Sequence, residues 1–255
     1  MPVMDDHSRP HDLQRLYRDP AATTGYWEQS WGSRNYDRML AHELYNSTFR
    51  ATVDTLAAGC HMTDHQSVLD IGCGWGRLII GLLKRFPGLQ IQGIDVSTEA
   101  VARGPDLIAK ETGRRDIRLH VARAESLPFD GDSFAAVVSS RVFQYVSDPK
   151  AAMREVNRVL KPGGEVTILV PNKRNPVRYF QYHTQLLTSD NLTEWMEAAG
   201  LEVTGTGSIV YWPPNWKRFS DESFWVSIDR WLAKAPFVGR IGGLAWASAR
   251  KPRQP

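Results

Sequence analysis

The sequence predicts an α/β fold: a doubly wound sheet, mostly parallel with an antiparallel C-terminal strand, plus an N-terminal helical lid and a C-terminal insertion. Three observations carry this. From Ser67 onward, apolar runs of strand length alternate with helical stretches, the pattern of βα units joined by right-handed crossovers. The first strand runs into glycines at alternate positions and then into a helix. The second strand ends on an acid, Asp95.

Composition bounds the class. With 255 residues the chain can bury a substantial core, and 42% hydrophobic against 23% charged residues is ordinary for a globular protein. Lysine and arginine number 31 against 28 acids, a net charge of +3, too balanced for nucleic acid to be the expected partner. Cys60 and Cys73 give neither a disulfide framework nor metal-ligand spacing, so no metal is expected and a reducing, cytoplasmic setting fits. The first residues, with Asp5, Asp6 and Pro10, lack the apolar core of a signal peptide. No apolar run reaches the roughly 18 residues that a membrane span needs.

The elements follow in order. Residues 1–60 are read as an N-terminal arm and lid helix. Tyr26, Trp27, Trp31 and Tyr36 mark the aromatic part of that lid, and Met39, Leu40, Leu44, Val53 and Leu56 set a helical period over 37–58. Val68 to Ile71 is a short buried strand, and Arg77 to Phe86 a helix closed by Pro87-Gly88. Gln90 to Ile94 is the next strand, followed by a helix capped by Ser97 and interrupted at Gly104-Pro105. Ile117–Val121 and Phe134–Ser139 are strands, and Pro149–Leu160 is a helix stopped by Lys161-Pro162-Gly163-Gly164. Glu165–Val170 is the fifth strand, and Ser189–Ala199 a helix ended by Gly200. Leu201–Tyr211 and Ile241–Arg250 are strand-like and are expected to pair antiparallel, with an insertion at about 212–239 between them. Residues 61–255 thus form the ligand-binding domain.

The run Val68-Leu69-Asp70-Ile71-Gly72-Cys73-Gly74-Trp75-Gly76-Arg77 carries the most information. Glycines let the backbone turn sharply and let a ligand lie against it, and the helix start offers N–H groups. A dinucleotide site would turn those groups on a pyrophosphate, with G-x-G-x-x-G spacing. Here the spacing is G-x-G-x-G, and Asp70 precedes the first glycine. That suits a ligand with a cationic amine and no phosphates. Asp95 lies about 20 residues on, where such sheets place the acid that accepts from ribose hydroxyls.

At these residues the chain resembles the class I S-adenosylmethionine-dependent methyltransferases, of the small-molecule type 11 kind, on a Rossmann-like fold. The likeness covers roughly residues 65–170 and continues through Gly93-Ile94-Asp95-Val96-Ser97, Ala124-Glu125-Ser126-Leu127-Pro128-Phe129, Phe134 to Ser140 and Leu160-Lys161-Pro162-Gly163-Gly164. The resemblance implies S-adenosylmethionine as cofactor, held by Asp70, Gly72, Cys73, Gly74, Gly76, Asp95, Val96, Ala124, Glu125 and Ser140. Asp95 would hold the ribose, Val96 would pack beside the adenine, Ala124 and Glu125 would lie along its edge, and Ser140 would sit under the sulfonium. Two positions depart from the family. Arg123 stands where relatives carry an acid for the adenine amino group, and Phe134-Ala135 stands for Phe-Asp. Backbone atoms or Glu125 are expected to take over the adenine contact. Cys73 is read as a small packing residue, not a nucleophile.

For the methyl acceptor three regions can reach the cofactor. They contribute Tyr26 and Trp27; then Arg141, Phe143, Gln144 and Tyr145; then Tyr179, Tyr182 and His183. Tyr145 stands where relatives often carry a histidine, so His183 is the imidazole to test as a base, with Tyr145 the second candidate. In the insertion, Phe224, Trp225, Ile228, Trp231 and Leu232 form one apolar stripe, which covers the sheet or the substrate cleft. Basic Lys217, Arg218, Arg240, Arg250, Lys251 and Arg253 leave open a lipid-like substrate and peripheral membrane contact. The expected reaction is transfer of methyl to an O, N or C atom of a small aromatic or hydrophobic metabolite. A cofactor-binding scaffold without catalysis is the reading from another class. The glycine spacing and the lack of a Tyr-x-x-x-Lys pair argue against an NAD-dependent oxidoreductase.

Overall fold

A computed structural model describes residues 47–175, 187–209 and 240–253, with Ala21, Thr24 and Gly25. Tyr26, Trp27, Tyr179, Tyr182, His183 and the insertion at 212–239 lie outside the described residues.

The elements are α1 (Ser47–Gly59), β1 (Ser67–Ile71), α2 (Arg77–Arg85), β2 (Gln90–Asp95), α3 (Thr98–Thr112), β3 (Arg118–Val121), β4 (Phe134–Ser140), α4 (Pro149–Val159), β5 (Leu160–Pro171), α5 (Ser189–Ala198), β6 (Glu202–Ile209) and β7 (Leu244–Arg250). A short 3-10 turn, Phe143–Tyr145, follows β4. Among the described residues, seven strands form one sheet in the order β3-β2-β1-β4-β5-β7-β6. The first five are parallel, and β7 inserts antiparallel between β5 and β6. The doubly wound sheet with antiparallel C-terminal strands is therefore as the sequence predicted.

Each central strand alternates its side chains between two apolar layers, as a strand buried on both faces must. Val68, Ala136, Val138 and Leu169 join the layer containing Phe49 and Leu56 of α1, Ile79 and Leu82 of α2 and Ile108 of α3. Leu69, Ile71, Val137, Val166 and Ile168 join the layer of Met153 and Val156 from α4 and Leu192 and Met196 from α5. The described part of the N-terminal helix is thus a core element. Gly59 lets it close on the sheet, since a Cβ there would lie 2.4 Å from both Ser248 Oγ and Thr167 Oγ1.

Helix ends follow local chemistry. Ser97 accepts from Ala100 N at 3.2 Å and Asp148 from Ala151 N at 2.9 Å, capping α3 and α4. Thr188 and Asn191 form a capping box on α5. Gly200 takes a left-handed φ of 82° one residue after the Ala199 cap of α5.

Two expectations need correction. Gly104-Pro105 does not interrupt α3, which runs through it. A proline in a helix clashes with the carbonyl four residues back and with the Cβ and N–H of the residue before it, and Gly104, having no Cβ, removes part of that second clash. Gly104 also sits against β3, where a Cβ would lie 2.2 Å from Leu119 Cδ1. Second, Lys161-Pro162-Gly163-Gly164 does not separate α4 from β5. Leu160 already pairs with Phe134 and Glu165 pairs with Ala136, so residues 161–164 bulge within the strand. The C-terminal tail holds the bulge: Gly163 N donates to Lys251 O at 2.9 Å and Lys251 N to Gly164 O at 2.8 Å.

Candidate active site

Strand order reverses beside β1, with β2 on one side and β4 on the other, and their crossovers leave on opposite faces. In such sheets a crevice opens at the carboxyl ends of the strands at this switch point. A cavity of about 350 Å³ lies there. Asp70 and Ile71 of β1, Ile94 and Asp95 of β2, Ser140 of β4 and Pro171 of β5 contribute to its wall, with the glycine turn and the loops after β3 and β4.

The glycine turn is built by backbone geometry that side chains resist. Gly72, Gly74 and Gly76 have φ of 73°, 52° and 92°. At Gly72 a Cβ would lie 2.1 Å from Val142 Cγ2, so the loop after β4 packs directly on the turn. The turn's N–H groups are spent inside the protein. Gly72 N and Cys73 N both donate to Ile94 O at 2.8 Å, Gly74 N to Asp95 Oδ2 at 2.8 Å and Gly76 N to Cys73 O at 3.0 Å. A pyrophosphate needs such groups pointing outward, so this turn suits a ligand without phosphates at that position.

Asp95 does more than the sequence suggested. Its Oδ2 holds Gly74 and its Oδ1 accepts from Ser97 N at 3.0 Å, so it pins the turn to the start of α3. Asp70 is 1% exposed, and its Oδ2 has no hydrogen-bond partner. Burial, and then the neighbouring Asp95 charge, push its carboxyl from the ordinary 3.8 up to about 8, against the opposing pull of Arg77. An empty-handed acid next to a second acid is a poor structural element and a good seat for a cation. Ser140 Oγ and Gln144 Oε1, also in residues of this wall, are buried without partners too. Unmet hydrogen-bonding capacity gathered around one cavity points to a ligand.

Of the other expected cofactor residues, Val96, Ala124 and Glu125 line the cavity, as do Gly72, Cys73 and Gly74, whereas Gly76 is not in its wall. Gly76 instead starts α2, with Ile80 N donating to its carbonyl at 2.8 Å. The Cys73 side chain packs against Gly93, and burial together with the charges of Asp95 and Asp70 raises its thiol, which disfavours the reactive thiolate. Glu125 spends its Oε1 on Ser147 N at 3.1 Å, Asp148 N at 3.4 Å and Arg123 Nη2 at 3.5 Å. It ties the loop after β3 to the loop before α4. Arg123 also lines the cavity, reaching Ser147 Oγ at 3.4 Å and Thr24 Oγ1 at 3.5 Å.

On the acceptor side, Arg141, Gln144 and Tyr145 line the cavity, but Phe143 does not. Phe143 is 1% exposed in the layer under α4, because the 3-10 turn points it inward. Val142, Trp75, Leu78 and Val146 were not singled out from the sequence, yet they form much of the apolar wall. The apolar residues flanking the glycine turn and Tyr145 were the available signal.

Residues 68–164 match a family described as "Methyltransferase domain". Over 103 residues the chain is 36% identical to a ubiquinone/menaquinone biosynthesis C-methyltransferase of Geotalea daltonii, covering 40% of this chain and 44% of the relative. Over 170 residues it is 33% identical to a ubiquinone biosynthesis O-methyltransferase of Alkalilimnicola ehrlichii, covering 59% of this chain and 66% of the relative. The crystal structure of the [4+2]-cyclase SpnF superimposes with a TM-score of 0.62 at 25% identity, covering 80% of this chain and 81% of that one. The chain spans less than half the length of several curated relatives it matches. With the sheet order and the glycine turn, these likenesses make residues 68–164 a methyltransferase domain of the class I, S-adenosylmethionine-dependent type.

Proposed function

We propose that the chain transfers a methyl group from S-adenosylmethionine to an O, N or C atom of a small aromatic or hydrophobic acceptor. The observation that carries this is Asp70, a buried acid with an unpartnered oxygen beside a glycine turn whose N–H groups are already spent. That pairing fits a ligand carrying an ammonium group and no phosphate. Asp70 would hold the donor's amine, Asp95 its ribose, and Val96 and Ala124 its base. S-adenosylmethionine supplies a methyl carbon already activated on a sulfonium, so an in-line displacement needs no nucleophile from the protein.

The chain's own residues align and enclose. Val142, against Gly72, fixes the distance between the loop after β4 and the turn. Trp75, Leu78 and Val146 keep water from the apolar part of the wall. Among the described residues the cavity wall contains no histidine, which suits an acceptor that loses its proton late or not at all. His183 and Tyr145 remain the candidates for a base.

The test is calorimetry with S-adenosylmethionine, S-adenosylhomocysteine and NAD. The first two bind and NAD does not; tight NAD binding with no response to the others would remove the proposal. Incubating cell extract with donor labelled in the methyl group then finds the acceptor as one product heavier by that group. The likeness to a [4+2]-cyclase favours a second reading, in which the bound sulfonium only shapes the cavity for another reaction. In that case donor binds but no S-adenosylhomocysteine forms.

A further inference from the structure

We infer that Arg141 recognises an oxyanion, a carboxylate or phosphate, on the methyl acceptor. The inference rests on the methyltransferase reading and specifies its substrate class.

Among the described residues, three arginines line the cavity: Arg77, Arg123 and Arg141. Two are engaged. Arg77 lies over the Phe49 ring at 4.8 Å, and Arg123 pairs with Glu125 at 3.5 Å. The Arg141 backbone is tied down, its N–H donating to Leu169 O at 2.7 Å and its carbonyl accepting from Gln144 Nε2 at 2.8 Å. Among the described residues its guanidinium has no ion-pair or hydrogen-bond partner. A partly buried cation with five donors in a planar fork and no counter-charge is matched by a carboxylate or phosphate, which it grips in bidentate fashion.

The backbone supports a recognition role. Arg141 has a φ of 63°, a conformation that costs a non-glycine residue on the order of 1 kcal/mol or more. A chain selected only for stability would place glycine or asparagine there. Position supports the acceptor as the bearer. Arg141 follows Ser140 at the carboxyl end of β4 and precedes Val142, the residue packed on Gly72. Asp70 and Asp95, the acids expected to hold the donor, lie at the ends of β1 and β2. Gln144 Oε1, unpartnered in the same wall, offers an acceptor for an O–H or N–H on the same molecule.

The experiment uses the full chain saturated with S-adenosylhomocysteine and titrated with benzoate, inorganic pyrophosphate and benzyl alcohol. Four forms are compared: wild type, Arg141→Met, Arg141→Lys and Arg141→Gly. The glycine variant removes the charge while easing the backbone, so a misfolded methionine variant leaves the test intact. The expected result is that wild type binds at least one of the anions and not the alcohol. Arg141→Met and Arg141→Gly weaken that binding about ten-fold or more, and Arg141→Lys keeps a good part of it. S-adenosylhomocysteine affinity stays within about two-fold in all four. Anion binding equal in wild type and the charge-removing variants, or absent in wild type, overturns the inference. So does a parallel loss of S-adenosylhomocysteine affinity, which would assign the cation to the donor's own carboxylate. Failure of wild type to bind S-adenosylhomocysteine is a separate result: it removes the methyltransferase reading and the acceptor inference with it.

Discussion

Two residues carry most of the site's physics. Gly72 combines a left-handed backbone with a contact that leaves no room for a Cβ. Gly72→Ala therefore strains φ and drives Val142 off the turn. It should lower stability by about 1–3 kcal/mol and weaken S-adenosylhomocysteine binding about ten-fold or more, read by thermal melts and calorimetry. Trimming Val142 to alanine in the same chain should recover packing but not the backbone strain. Asp70 gives a pH dependence of defined sign. Its folded pKa of about 8 exceeds the ordinary 3.8, so between those values the folded chain holds a proton the unfolded chain has lost. Stability contributed at this site therefore falls as pH rises through that window. Asp70→Asn removes the penalty. The variant should be more stable than wild type at pH 8, by a few kcal/mol at most, and little different near pH 4, as measured by urea titration. It should also bind S-adenosylhomocysteine about ten-fold or more weakly, because the ammonium loses its charged partner. In wild type near neutral pH, that ligand should displace the Asp70 proton, seen as a binding enthalpy that changes with the ionisation enthalpy of the buffer.

Elements are set by local signals that tertiary contacts sometimes override. Ser97 at the head of α3 and Gly200 after α5 are legible because capping depends on side chains within three or four residues. The passage of α3 through Pro105 is legible only in part. The local part of the reason, a glycine before the proline, is in the sequence, but the packing of Gly104 against β3 joins segments distant in sequence. The role of Glu125 is likewise invisible locally, since its partners Ser147 and Asp148 lie 22 and 23 residues on. Glu125→Ala should cost about 1–2 kcal/mol by loosening two loops at once, while Glu125→Gln, which keeps an acceptor oxygen, should cost less. Thermal melts of the two variants separate a loop-tying role from a purely electrostatic one. An equal loss in both would assign the effect to charge.

At the scale of the whole molecule the sheet divides its labour along the strands. The carboxyl ends of the parallel strands hold the cavity, and the amino ends hold polar clamps with no place in it. At β5, Glu165 is 7% exposed and accepts from Arg250 Nη2 at 2.5 Å and Nε at 3.1 Å, with His61 Nδ1 3.0 Å away. Between the ends, Thr167 and Ser248 share a buried hydrogen bond of 2.8 Å that joins β5 to β7. Arg250→Met should lower stability by about 1–2 kcal/mol, a modest figure because the arginine side chain is 43% exposed and screened. Donor affinity should not change. A calorimetric loss of S-adenosylhomocysteine binding in that variant would show that the two ends are coupled.

The sequence by itself determined the doubly wound sheet, the glycine turn and the acids on either side of it. Strand period, turn chemistry and the spacing of Asp70, Gly72 and Asp95 are written within about 25 residues. Only the tertiary structure decided where β7 inserts, that α1 belongs to the core, that Phe143 turns inward while Arg141 faces the cavity, and that Asp95 holds the turn as well. Those features arise where segments far apart in the chain compete for the same space and the same hydrogen bonds, and no local pattern records the outcome of that competition.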